Sequence, residues 1–199
     1  MKSSLRIIII ITVVLELTAV GIYFYSSQTK SKKTAPLPNL GVVPAFQLTN
    51  EDSAQFSNQN LLGKVTVADF IFTSCGGPCP MMSSKMASLQ AEFADVPAIH
   101  LLSFSVDPEY DTPSILKEYG QKFGAEQGRW TFLTGDKHAI YQLARYGFYL
   151  TTEDEENAII HSTKFILIDT KGSIRGYYDY DDSTAVPKLV NDARSLATE

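Results

Sequence analysis

Cys75 and Cys79, separated by three residues, are the only cysteines in the chain. Pro80 follows them, and Met81, Met82, Met86, Leu89 and Phe93 form an apolar stripe that predicts a helix running to about Ala94. That puts both sulfurs at the mouth of a helix, where the dipole and unpaired N–H groups favour a thiolate. A static disulfide here would close too small a ring to stabilise much, and inert core cysteines have no reason to come as a close pair. Two chemistries stay open: a redox dithiol, and a soft-metal site in which two thiolates hold Cu(I). Closed structural zinc wants four ligands, and only three histidines are available to add.

A third ligand would separate the two chemistries, and His161 is the best placed. It follows the acidic run Glu153, Asp154, Glu155 and Glu156 and directly precedes a strand read over Lys164 to Asp169. Its imidazole would complete a two-sulfur, one-nitrogen set. His100 lies within an apolar strand and His138 in the first turn of a helix, so both read as structural. Met81 and Met82 offer thioethers, but their helical spacing with Met86 reads as core packing. Asp107, in Asp-Pro after a strand, reads equally as a turn opener and as a neighbour of the site.

The elements that must position these residues alternate. Val65 to Phe72 is a β-branched, apolar buried strand leading into the cysteines, and Ile99 to Val106 is the next strand. Asp111 or Thr112, with Pro113, opens a helix through about Phe123; Trp130 to Leu133 is a short strand; Asp136 caps a helix through Tyr146. Lys164 to Asp169 and Ile174 to Tyr180 pair as a hairpin about Thr170 to Ser173, and residues 184–197 close the chain as a helix. Strands alternating with helices imply an α/β layered domain. Cysteines at the first strand-to-helix turn point to a thioredoxin-like fold, a central mixed sheet flanked by helices, with residues 109–150 as an insertion.

Ahead of this domain, Ile7 to Tyr25 is a run of 19 largely apolar residues broken only by Glu16 and mild Thr and Gly residues. It is long enough to span a bilayer core, and with no small-residue cleavage site after it, residues 1–25 read as an uncleaved signal anchor. Glu16 reads as a protonated or paired acid within the span. Residues 26–40, rich in Lys, Ser and Pro, read as a flexible tether to a domain over 41–199. Lys2 and Arg6 before the span are balanced by Lys30, Lys32 and Lys33 after it, so charge does not orient it. A folded body behind an N-terminal anchor points to export. Net charge is −5 for the chain; residues 34–199 hold 12 basic against 21 acidic residues, which excludes a nucleic-acid partner.

Four separated segments carry a family resemblance: Phe72 to Pro80 with both cysteines, Ser105 to Pro113, Trp130 to Gly135, and His161 to Asp169. Over roughly residues 40–197 the chain resembles the Sco/SenC family of membrane-tethered copper proteins that assist assembly of the CuA centre of cytochrome c oxidase. The resemblance implies that Cys75, Cys79 and His161 are ligands for a copper ion, Cu(I) or Cu(II). It also implies a metallochaperone for a copper-accepting oxidase subunit or another cuproprotein. The body would lie in the periplasm beside a bacterial inner membrane, or in the equivalent mitochondrial intermembrane space. A membrane-tethered thiol-disulfide reductase acting on a cuproprotein's cysteines is the alternative, with Cys75 and Cys79 as a catalytic dithiol. Thioredoxin-like oxidoreductases usually carry a cis-proline before the strand facing the cysteines, whereas Ser162 and Thr163 follow His161 here. A peroxiredoxin-like reading has only Thr73 and Arg129 to offer and is set aside. One departure stands out: family members often have proline directly after the first cysteine, and this loop has Gly76, Gly77 and Pro78.

Overall fold

The computed structural model describes residues 36–150 and 162–198 and, ahead of them, the single helical positions Glu16, Thr18 and Val20. Contacts divide the chain into two units, 1–36 and 37–199. Among the described residues no helix is long and apolar enough to cross a membrane. Apart from those three positions, the expected span from Ile7 to Tyr25 lies outside the described residues.

The second unit opens with three short strands, β1 (Gly41–Val42), β2 (Gln47–Asn50) and β3 (Gln55–Ser57). The alternating core follows: β4 (Val65–Ile71), α1 (Pro78–Glu92), β5 (Ile99–Ser105), α2 (Pro113–Lys122), β6 (Trp130–Thr134) and α3 (Lys137–Gln142). It ends with β7 (Lys164–Ile168), β8 (Ser173–Asp179) and α4 (Ala185–Leu196). The eight strands form one sheet in the order β1, β8, β7, β4, β5, β6, β2, β3. β4 pairs parallel with β5, and β5 with β6. Helical crossovers α1 and α2 make those parallel pairings possible. β7 runs antiparallel to β4 and β8 antiparallel to β7, so the expected mixed sheet flanked by helices is what the chain forms.

Three departures from the sequence reading have local causes. The strands over 41–57 are short and half exposed, with no sustained alternation to announce them. Residues 109–150 do more than insert, because β6 joins the central sheet with Leu101 opposite Trp130. The helix expected through Tyr146 stops being α-helical at Gln142 and widens into a π turn, Leu143–Gly147. Gly147 there passes so close to Pro44 that a Cβ would lie 2.9 Å from its ring.

All seven residues of β4 are buried, and alternation sends them to two cores. Val67 and Ile71 face the cluster that holds Cys75, Cys79, Met82, Met86, Trp130 and Phe132. Ala68 and Phe70 face the other, where Phe70 stacks on Phe104 at 4.8 Å between ring centroids.

At the end of the sheet away from the cysteines, Asp169 organises the β7–β8 hairpin. Its Oδ1 accepts the N–H groups of Lys171 and Ser173, each at 2.9 Å, and its Oδ2 pairs with Arg175 at 2.8 Å. Arg175 also donates to the carbonyls of Leu37 and Pro38, so the start of the second unit is bonded to β8.

Candidate metal centre

β4 ends at Ile71, and the chain turns at once: the Cys75 N–H donates to the Phe72 carbonyl at 3.2 Å. Gly77 is the N-cap of α1 and Pro78 its first residue, which puts Cys79 inside the first turn. Both cysteines are free and buried. Their environments differ. Burial works against a thiolate at Cys75, but the amides of Cys79 and Gly77 and the Cys79 thiol donate to its sulfur and together hold it below the ordinary thiol range. The Gly77 amide lies 3.4 Å from that sulfur. At Cys79 burial dominates, and with Cys75 and Asp69 adding to it against the Phe72 amide, the thiol is pushed up to about 12. The helix mouth thus favours a thiolate at only one of the two positions the sequence offered.

Asp69 shares the face of Val67 and Ile71 on β4, within the cysteine-side core. Its Oδ1 accepts the Ser103 hydroxyl at 2.6 Å, and Ser103 in turn accepts the Trp130 indole N–H at 2.9 Å. Oδ2 has no hydrogen-bond partner among the described residues. Burial, offset only in part by Ser103, pushes the carboxyl up to about 7. Close by, the hydroxyls of Ser83 and Tyr119 share a buried 2.8 Å hydrogen bond. Sequence reading passed over Asp69, although a lone acid in an otherwise apolar strand was a usable signal.

Asp111, expected as a possible helix cap, is wholly buried and does something else. Thr112 caps α2, accepting the Ile115 N–H. The Asp111 carboxylate accepts the Thr73 amide at 3.0 Å, the Thr73 hydroxyl and the Ser105 hydroxyl. Asp107 is a turn opener: its carbonyl accepts the N–H groups of Tyr110 and Asp111.

His161, the expected third ligand, lies outside the described residues. The strand that follows it is described. With Ala68 opposite Ile166, the antiparallel register carries the start of β7 to the C-terminal end of β4, the end from which Cys75 hangs. His100 pairs with Thr66 near the other end of β4, roughly 17 Å of strand from Ile71, so it stays apart from the cysteines. His138 is exposed near the start of α3. The two methionines part company, for Met82 is fully buried in the core while Met81 is 52% exposed.

The SCO1/SenC family model matches residues 35–197. The chain belongs to the SCO1/SenC family. Among solved structures it is similar to a SCO1/SenC family lipoprotein from Bacillus anthracis, with 36% identity, 82% of this chain and 99% of that one covered, and a TM-score of 0.74. It is similar to BsSco, a member of the Sco family of cytochrome c oxidase assembly proteins in which a disulfide switch is identified, at 30% identity, 82% and 99% coverage and a TM-score of 0.72. Copper-bound yeast Sco1 matches at 26% identity, covering 79% of this chain and 90% of its own, with a TM-score of 0.63. The fold is the thioredoxin-like fold of this family.

Proposed function

We propose that this chain binds copper through Cys75, Cys79 and His161 and serves in maturing the CuA site of cytochrome c oxidase. One observation carries the reading: two free thiols touch at the buried mouth of α1, and one of them is already biased towards the thiolate. That donor set suits Cu(I), which prefers soft sulfur in low coordination. Cys75 supplies the first thiolate. Cys79 releases its proton on binding, as thiol ligands must. His161 adds the nitrogen that distinguishes this set from a bare dithiol. The copper held by yeast Sco1 and the oxidase-assembly family of BsSco support the assignment.

The purified, reduced full chain should take up one Cu(I). The Cys75→Ser or Cys79→Ser variant should lose tight binding, and His161→Ala should weaken it by about 100-fold while abolishing strong sulfur-to-copper charge transfer in the Cu(II) form. Wild-type stoichiometry in the double Cys→Ser variant would falsify the site.

The unequal thiols favour a second reading, a reductase in which Cys75 attacks a cuproprotein disulfide and Cys79 resolves the mixed disulfide. Selective reduction of a copper-accepting partner, with little activity on insulin, is its expected signature; insulin turnover at thioredoxin rates would contradict that selectivity.

Residues 1–25 are proposed to anchor the chain in the membrane, with 26–40 as a tether and the domain over 41–199 on the exported face. After alkaline washing the chain should stay with the membranes, and protease added from the exported side should digest the domain. Its protection in spheroplasts would reverse the orientation.

A further inference from the structure

The turn that delivers Cys75 has two unlike arms. Ser74, Gly76 and Gly77 are exposed, and nothing lies within 4 Å of where a Cβ on Gly76 would stand. Two adjacent glycines leave that arm without side chains, and it meets Cys75 through the Gly77 amide, 3.4 Å from the sulfur. The other arm is gripped. Thr73 sits inside the Phe72–Cys75 turn, and both its amide and its hydroxyl donate to one carboxylate, that of Asp111, which is 38 residues away in sequence and has no exposed surface.

Asp111 is itself held from three directions. Its N–H donates to the Asp107 carbonyl at 2.8 Å, the Ser105 hydroxyl at the end of β5 donates to its carboxylate, and Thr112 beside it caps α2. Among the described residues, all the donors to the carboxylate are amide or hydroxyl groups. Hydrogen bonds to a carboxylate are among the strongest a neutral donor makes, and two from one residue fix its orientation as well as its distance.

We propose that Asp111 is the positioning residue of the cysteine loop: through Thr73 it sets where the Cys75 sulfur stands relative to the amides of Gly77 and Cys79. Asp111 touches neither sulfur and acts through the turn. The assignment rests on reading Cys75 as a functional thiol, and its importance for copper rests on the function proposed above. A mere staple between β4 and α2 would change the stability of the fold and leave the chemistry of Cys75 in folded molecules alone.

The test uses the full chain, reduced and metal-free, with Cys75 alkylation by iodoacetamide followed by mass spectrometry. Thr73→Val keeps the amide and removes the hydroxyl, and Asp111→Asn weakens both bonds. Each is expected to change the Cys75 rate by about fivefold or more, and Thr73→Ser is expected to restore it. Wild-type rates in folded Thr73→Val, or no restoration by Thr73→Ser, would overturn the proposal. Should Asp111→Asn fail to fold, the Thr73 pair decides alone. Copper titrations on the same variants separate the two claims. An altered alkylation rate in a chain that never binds copper would remove the copper reading and keep Asp111 in place, whereas tight copper binding with unaltered alkylation would do the reverse.

Discussion

The two ends of the central sheet each depend on a buried aspartate that organises a turn, and they do it differently. At the hairpin end, Asp169 meets a cation: Arg175 neutralises it, two local amides complete its shell, and its partners lie within six residues. At the cysteine end, Asp111 accepts, among the described residues, only amide and hydroxyl donors, two of them from a residue 38 positions away. The hairpin end is built like a clasp, in which the partners of Asp169 are all local and Arg175 alone reaches on to the distant Leu37 and Pro38 carbonyls. Among the described residues, the thiols at the cysteine end interact with amides, with each other and with Asp69, and with no cationic side chain. Asp69 extends the contrast, being a carboxyl on the cysteine side with one oxygen unpartnered among the described residues.

The sharpest way to break the comparison is at the clasp. Arg175→Ala strands Asp169 and frees the Leu37 and Pro38 carbonyls, and should destabilise the domain by about 3–5 kcal/mol, the usual result of removing one partner of a buried pair. Copper stoichiometry in the folded fraction should not change. Denaturant unfolding and metal analysis of the same sample would show it, and a parallel loss of copper would mean the two ends are not separable. The clasp also has an acid limit. Burial raises the Asp169 pKa, but Arg175 and the two amides outweigh it and leave the group below its ordinary value. The stability it contributes is therefore full above the unfolded carboxylate range and lost as pH falls through the folded value. Wild type and Asp169→Asn should converge in strongly acidic buffer.

A second test stays within the cysteine end. Met82→Ala opens a cavity under α1 and should lower stability by about 2–5 kcal/mol. Met81→Ala, on exposed surface, should fall within about 0.5 kcal/mol of wild type. Equal effects would show that α1 is rotated from the packing described.

A smaller effect than that of Met82→Ala is expected at Asp69, and its sign is opposite to that at Asp169. Its folded pKa is raised to about 7, so the folded state holds its proton longer than the unfolded chain. Its contribution is complete below the unfolded value and is lost as pH rises towards 7. Asp69→Asn should match wild type near pH 4 and exceed it by about 1–2 kcal/mol at pH 8, because no buried charge then forms. A constant difference across that range in thermal melts would show that the carboxyl is not the titrating group.

Much of this was legible in the residue order. The β-branched run before the cysteines, Pro80 at the head of an apolar helical stripe, Asp136 as a cap and the Thr170 to Ser173 turn each depend on neighbours a few positions away, and each is found in the fold. The cysteine pair was equally plain, because spacing and helix placement are local properties. By itself the sequence determined the alternation of strands and helices, the place of both thiols and the family to which the chain belongs. Only the tertiary structure decided that β6 joins the sheet, that Cys75 and Cys79 differ in acidity, that Met82 is buried while Met81 is exposed, and that Asp111 grips Thr73. Those outcomes depend on burial and on partners about 38 residues apart, and neither burial nor a distant donor is written in the local pattern from which a sequence is read.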